Sequence, residues 1–560
     1  MLIATGTAIG APVSAQQAGT ETSAGAAVIY LDQGWSQTDR ELYYQISQGS
    51  TTISHDIFSH LEVAGGQELF RSDRNSERFG LITQPANPRT NPNGLPVGVT
   101  TTTITEGRWA GPAKMGITCA ACHTGQLNYK GKRVRIDGGN GNSFDFMAYI
   151  FAMDDALQAT LADSAKFDRL AERLKASDAE AKGALRQRLE REAGVIHEYR
   201  TRDLVTPSAW GPGRIDAIGA IVNRIVAHEL GIPQNFSTPL APTKSPFLWN
   251  SPHGSWNQWR AVQQDPIKRN AAEAMGVFID MDLTSKTKEE GLFDSSQVPM
   301  NLDKIERHLE RLAPPKWPEE VFGPIDRSKA VAGKALFAAN CAGCHNAWPY
   351  TWTEPNKYGK RFIEVGMVPQ KYMGTDPGQF ENLRKYVITG PLAKHLPPPY
   401  TGATFVETGI LYNFVQDQVV AKALAPIKMS EEEKVALHGY RELPLPPAPR
   451  GVYKAAPRDG VWATPPFLHN GSVPNLYEML IPAKERTKKF YIGREFDPVK
   501  VGLDTNASAG AFLLDTSLPG NSNAGHSFEN GPRGNGVVGP LLTEPERRGR
   551  VEELKSVPVV

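Results

Sequence analysis

The chain alternates between stretches with a clear helical rhythm and longer stretches with none. From Leu161 to Arg200 charged residues surround apolar ones at Phe167, Leu170 and Leu174, then at Leu185 and Leu189. Spacings of three and four predict a helical pair with one buried stripe, packed on a neighbouring core. Leu302, Ile305, Leu309 and Leu312 form a second stripe, which Pro314-Pro315 stops, and that proline pair marks a domain boundary. Beyond it Asp326 is placed to cap a helix running through Val331, Leu336 and Phe337 to Asn340. Gly333 inside that helix costs about 1 kcal/mol against alanine, which predicts close approach of another backbone. The helical stretch Thr543 to Val557 is the expected partner. The segment up to Gly98 holds many turn residues, among them Asn87-Pro88 and Asn91-Pro92-Asn93-Gly94. The glycine-dense Arg135-Ile136-Asp137-Gly138-Gly139-Asn140-Gly141 matches neither a phosphate loop nor a dinucleotide fingerprint and reads as a turn. The pattern predicts a mainly α chain with long irregular loops and few strands.

Composition narrows this further. A chain of 560 residues is too long for one small core, and 52 glycines with 43 prolines imply long ordered loops of the kind that wrap a cofactor. Lys+Arg 61 against Asp+Glu 60 gives no basic footprint for nucleic acid. No apolar stretch approaches the ~20 residues of a spanning helix, so no membrane span is expected. Met1 to Gln17 reads as the end of a secretory signal, with a small-x-small site at Val13-Ser14-Ala15, although the basic start is missing and a disordered tail is the other reading.

The chemistry lies in the cysteines. All four fall in two copies of one pattern, Cys119-Ala120-Ala121-Cys122-His123 and Cys341-Ala342-Gly343-Cys344-His345. Thiols three positions apart share one face of a helical turn and can both add to haem vinyl groups, and the following histidine then faces the iron. The pattern is that of c-type haem attachment. A single all-cysteine zinc site is the bland alternative, but zinc has no need of a histidine after each pair. A thioredoxin-like pair is less expected still, since neither motif sits in an obvious strand-then-helix unit. The expectation is two covalently bound haem c groups, with Cys119, Cys122, Cys341 and Cys344 as attachment sites and His123 and His345 as iron ligands. Haem c attachment occurs outside the cytoplasm, so the protein is expected to be periplasmic or secreted. The domains that follow are a signal remnant at 1–15, a first haem c domain at 16–320 with the helical insertion at about 161–200, and a second at 321–560.

Each iron has one further axial position, and an open one can bind dioxygen or peroxide. His469, in Pro465-Pro466-Phe467-Leu468-His469-Asn470-Gly471-Ser472, is the leading candidate for a second ligand; Met367, Met373 and Met479 are others, and a structural histidine beside a turn is the plain alternative.

With these residues the chain resembles the bacterial dihaem cytochrome c peroxidase superfamily, most closely its rubber-oxygenase-like branch. The resemblance is carried by Ile117 to Gly125, Trp210-Gly211-Pro212-Gly213-Arg214, Lys244 to Asn250, Asn270 to Gly276 and Trp462 to Pro474. It implies two cytochrome c-like haem domains, with the haem on His123 reactive and the haem on His345 transferring electrons. It implies His469 as a ligand of the second iron, because the methionine that ordinary dihaem peroxidases use would fall near Ala483 and is missing. Glu273 falls where the peroxidases keep an acid that helps break an oxygen–oxygen bond, a general acid–base role; a helix-surface glutamate is its other reading. Trp249 falls where electrons pass between the haems, with Trp210 and Trp256 as alternatives. The implied activity is activation of dioxygen or hydrogen peroxide, followed by oxygenation of an unsaturated apolar substrate. The alternatives are a peroxidase that draws electrons from a small cytochrome, and a non-catalytic electron-transfer dihaem protein.

Overall fold

The computed structural model describes residues 27–381, 383–506 and 511–557. The expected signal segment lies outside them. Where the rhythm was strongest, helices form. Ser164–Arg173 and Ala179–Glu198 bury Phe167, Leu170, Leu185 and Leu189 against the long helix Phe146–Ala162. Each of the three starts at an aspartate, Asp163, Asp178 or Asp145, whose side chain accepts a backbone N–H of the first turn. Pro299–Leu309 buries Leu302, Ile305 and Leu309.

The helix Arg327–Asn340, capped by Asp326, lies across the C-terminal helix Glu544–Ser556. Gly333 makes the crossing possible: a Cβ there would stand 2.1 Å from the carbonyl oxygen of Gly549.

The mainly α expectation is overturned. Helices take 37% of the chain and strands 14%, a mixed α/β composition with helix at the usual globular level and strand below it. Among the described residues the strands form eight small sheets. The longest, Thr124–Tyr129 and Lys132–Asp137, have six residues each and pair antiparallel, and Val28–Tyr30 adds parallel to the second. Strands this short carry too few alternations to stand out from loop in a sequence scan. The glycine-dense stretch read as a turn is corrected with them. Its first three residues end the strand, with Asp137 buried and held by Arg40 and the Tyr44 hydroxyl, and the turn begins at Gly138 with φ +65°.

One hydrophobic cluster draws on residues from both sides of Pro314-Pro315. Trp35, Leu127, Trp249 and Leu309 from before it pack with Trp317, Trp462, Val551 and Leu554 from after it. A second cluster lies under the first cysteine motif, around Ile117, Ala121, Phe146 and Trp210.

Candidate functional site

The first motif is delivered by the strand Lys114–Ile117 and left by the strand Thr124–Tyr129. Between them Cys119–Cys122 makes one helical turn, with the Thr118 side chain at its N-cap. Gly141 closes on that turn, donating its N–H to the Cys122 carbonyl at 2.8 Å; a Cβ at Gly141 would stand 2.7 Å from the same oxygen. The glycine-dense stretch therefore serves close approach to the motif.

The His123 ring has Nδ1 2.8 Å from the carbonyl of Pro246. A carbonyl only accepts, so the proton sits on Nδ1 and Nε2 keeps its lone pair, the tautomer a metal ligand needs. Burial holds this imidazole down at about 4 and so keeps it neutral. Burial also pushes the Cys119 and Cys122 thiols up, to about 11 and about 12. The Gln48 amide donates to Cys119 Sγ at 2.7 Å.

These groups open on an apolar cleft of about 1410 Å³, a figure that includes the solvent space at its mouth. Its apolar wall includes Phe146, Ile215, Ile218, Leu248 and Ile305. Among the described residues, His123 is its sole histidine and no methionine lines it. Glu273 lines it too, on the helix Pro266–Met275, whose N-cap Asp265 accepts from Ile267 and Lys268. The Gln258 amide donates to Glu273 Oε1, and neighbouring Arg269 pairs with Glu306. Burial raises the Glu273 pKa, against the hydrogen bond from Gln258 and the charge of Arg269, which lower it.

The second motif follows the helix Arg327–Asn340, with Cys341 as its C-cap. His345 Nδ1 lies 2.8 Å from the Ala456 carbonyl, the same tautomer-fixing contact as at His123. The ring that faces His345 is that of His526, centroid to centroid 6.3 Å. His526 was missed from the sequence, since it belongs to no motif. Burial holds it at about 3, its Nδ1 has no hydrogen-bond partner, and its backbone is left-handed at φ +46°. Buried Arg486 fixes that loop, donating to the carbonyls of Asn523, Gly525 and His526, and to that of Glu478.

His469 is placed differently. It is buried, its ring stacks on Tyr453 at 4.3 Å, and its Nε2 is 3.1 Å from the Tyr453 hydroxyl. The neighbouring Asn470 donates to the carbonyls of Gly520 and Ser522, and Arg214 joins the Asn470 carbonyl to Asn521. The Leu-His-Asn-Gly-Ser segment thus pins the loop that leads to His526. Of the methionines, Met367 is exposed on a strand, Met479 packs in the core, and the Met373 carbonyl accepts the His526 N–H.

Trp249 is fully buried between the two motifs' supporting segments. Its indole N–H donates to the Asp459 carbonyl at 2.9 Å, and its ring stacks on Phe247 at 4.7 Å. Trp210 belongs to the cluster beneath the first motif, away from the second. Among the described residues no three His, Cys, Asp or Glu side chains gather as a metal cage, so the four thiols do not form one zinc site. No described helix is long and apolar enough to cross a membrane.

Residues 452–491 match the family described as RoxA-like, cytochrome c-like. This segment contains the Ala456 and Asp459 carbonyls, His469 and Arg486. It relates the chain to the rubber-oxygenase-like cytochromes c, and a cytochrome c-like segment implies covalently bound haem c and an oxidoreductase. The chain is also similar to two proteins of Sinorhizobium fredii. The uncharacterized protein y4iM is 28% identical over 291 residues, 51% of this chain and 56% of that protein. The uncharacterized protein y4iJ is 34% identical over 573 residues, 95% of this chain and 93% of that protein. With likeness at that level along nearly the whole of both chains, the protein belongs to the family of y4iJ.

Proposed function

We propose that the protein is an extracytoplasmic dihaem c-type oxidoreductase, in which a haem at Cys119, Cys122 and His123 is open to dioxygen or peroxide and a haem at Cys341, Cys344 and His345 carries electrons. One observation carries this reading: among the described residues the cavity at His123 offers no second histidine or methionine, whereas His345 faces His526 at the separation of two imidazoles on one metal. His526 therefore replaces His469 as the second ligand. The peroxidase position near Ala483 supports the change, because the Ala483 N–H donates to Ser527 Oγ at 2.9 Å, one residue from His526. A histidine on that loop reaches the place a methionine would fill.

When bound, the first haem supplies an open iron for oxygen chemistry. The chain supplies the rest. Glu273, raised by burial and aligned by Gln258, is placed to hold or pass a proton in the cavity. Ile215, Ile218, Ile221, Val262 and Val277 give the cavity an apolar lining suited to an unsaturated hydrocarbon or lipid. Trp249 joins the two supporting segments and is the bridge for electrons.

The test is an optical titration of haem-loaded protein with dithionite, carbon monoxide and dioxygen, followed by oxygen uptake with an alkene. One gas-binding haem per chain and alkene-dependent uptake are expected. Two low-spin haems inert to carbon monoxide would leave an electron carrier. Peroxide-dependent oxidation of a reduced cytochrome, without alkene-dependent uptake, would make it a peroxidase.

A further inference from the structure

Among the described residues, three cations of the first cavity have no acid paired with them. Lys244, Arg260 and Lys454 all line it, and the backbone ties their segments into one wall. The Trp259 indole N–H donates to the Lys244 carbonyl at 2.9 Å, and the Lys454 N–H donates to the Trp259 carbonyl at 2.8 Å. Among the described residues the Lys244 ammonium meets the carbonyl and hydroxyl of Thr464 and the face of the Phe467 ring, and no carboxylate. Arg260 Nε and Nη1 are buried without a partner, with the guanidinium 4.8 Å over the Phe380 ring. The Lys454 ammonium has no side-chain partner among the described residues. Burial lowers all three, Lys244 to about 7, Lys454 to about 8 and Arg260 to about 10, and no carboxylate opposes the shift. The acid of the cavity, Glu273, is engaged by Gln258 elsewhere. Burying cations without counter-ions is strongly unfavourable, so the group that fills this cavity must bring the negative charge.

We propose that Lys244, Arg260 and Lys454 form a carboxylate-binding wall that takes the two propionates of the haem held at Cys119, Cys122 and His123. The inference rests on the reading that this cavity holds haem. A porphyrin attached through its vinyl edge presents its carboxylates at the opposite edge. The thiols come from the turn Cys119–Cys122, steadied by Gln48, and the cations from three other segments. Three cations facing two carboxylates leave an excess of positive charge beside the iron. That excess favours the reduced state and raises the midpoint potential.

The test is spectroelectrochemistry of haem-loaded full-length protein, wild type, Lys454→Gln and Arg260→Gln, with a mass spectrum of each to count haems. Both haems should remain attached, the potential of the first should fall in each variant, Lys454→Arg should restore it, and the second should not move. A resonance Raman arm needs no variant and stands even where a variant fails to fold. The wild-type propionate bands should stay those of ionised, hydrogen-bonded carboxylates as the pH falls through the range where free propionates protonate. An unchanged first-haem potential in both variants with haem attached overturns the proposal, as do wild-type propionates that titrate like free ones. Decanoate that perturbs the wild-type first-haem spectrum and no longer does so in Lys454→Gln would assign the cations to an acidic substrate and overturn it too. A first half whose mass includes no haem sinks the functional reading itself, a different failure from an attached haem that ignores these cations.

Discussion

Replacing His526 by alanine should open the second iron. Two metal–imidazole bonds of about 2.0 Å, with about 1 Å more at each end to the ring centre, place two rings on one metal a little over 6 Å apart. His345 and His526 stand 6.3 Å apart, with their planes crossed at 60°, as two rings turned about a shared axis would be. The substitution removes a side chain whose Nδ1 makes no hydrogen bond, and it leaves the four carbonyl contacts of Arg486 in place. Loss of packing on Phe528 should cost about 0.5–3 kcal/mol, the ordinary range for a single substitution at a half-buried side chain. The haem stays attached through Cys341 and Cys344. Carbon monoxide binding by the reduced protein should therefore rise from one to two equivalents per chain, with the second haem turning high-spin. His469→Ala is the matched control: it removes the stack on Tyr453 and the contact with the Tyr453 hydroxyl, and should leave the stoichiometry at one. A His526→Ala protein that still binds one equivalent, or a His469→Ala protein that binds two, refutes the assignment.

Trp249→Phe keeps the ring but strands the buried Asp459 carbonyl; stability should drop by about 1–3 kcal/mol and electron exchange between the haems, read by stopped-flow reoxidation, should slow. Glu273→Gln should lower turnover by about 10²–10⁴, the usual worth of a general acid or base. Its stability effect has a definite sign: burial raises the native pKa of Glu273 above 4.5, so its contribution is complete below that pH and is lost as the pH rises through the native value. The unfolding midpoint of the glutamine variant should therefore gain on wild type as the pH rises across that window, and a constant difference would show that Glu273 is not desolvated. Gly333→Ala should destabilise by about 1–3 kcal/mol in chemical denaturation despite alanine's better helix propensity, because the added methyl meets the Gly549 backbone. A stabilised variant would mean the two helices do not touch there.

What the sequence made legible was local. Phe167, Leu170, Leu185 and Leu189 announce their helices because the repeat is written in consecutive turns, and Gly333 stands out as a glycine where alanine would be the better choice. The haem-attachment residues are equally local, five positions each. The strands around the first motif were not legible, because four and six residues hold only two and three alternations, too few to stand out from loop. His526 was hidden for another reason. Nothing beside it in sequence marks it, and its position depends on Arg486, forty residues earlier, and on the Asn470 contacts that hold Gly520 and Ser522. The Leu-His-Asn-Gly-Ser segment drew attention to its histidine, while its asparagine is what secures the loop.

The same kind of bond recurs at the histidines of both Cys-x-x-Cys-His motifs and links them. His123 donates Nδ1–H to Pro246, three residues before Trp249; His345 donates Nδ1–H to Ala456, three residues before Asp459; and the Trp249 indole N–H joins the Asp459 carbonyl. Each tether does two things at once. It fixes the tautomer that leaves Nε2 free for a metal, and it ties the imidazole to a stretch of backbone that ends at the tryptophan contact. A path built from two four-residue segments and three hydrogen bonds has few soft torsions, because Trp249 is fully buried and stacked on Phe247. Ligand orientation and inter-site coupling are thus properties of one element. A change that loosens the Trp249–Asp459 contact should weaken the coupling while both histidines keep their carbonyl partners.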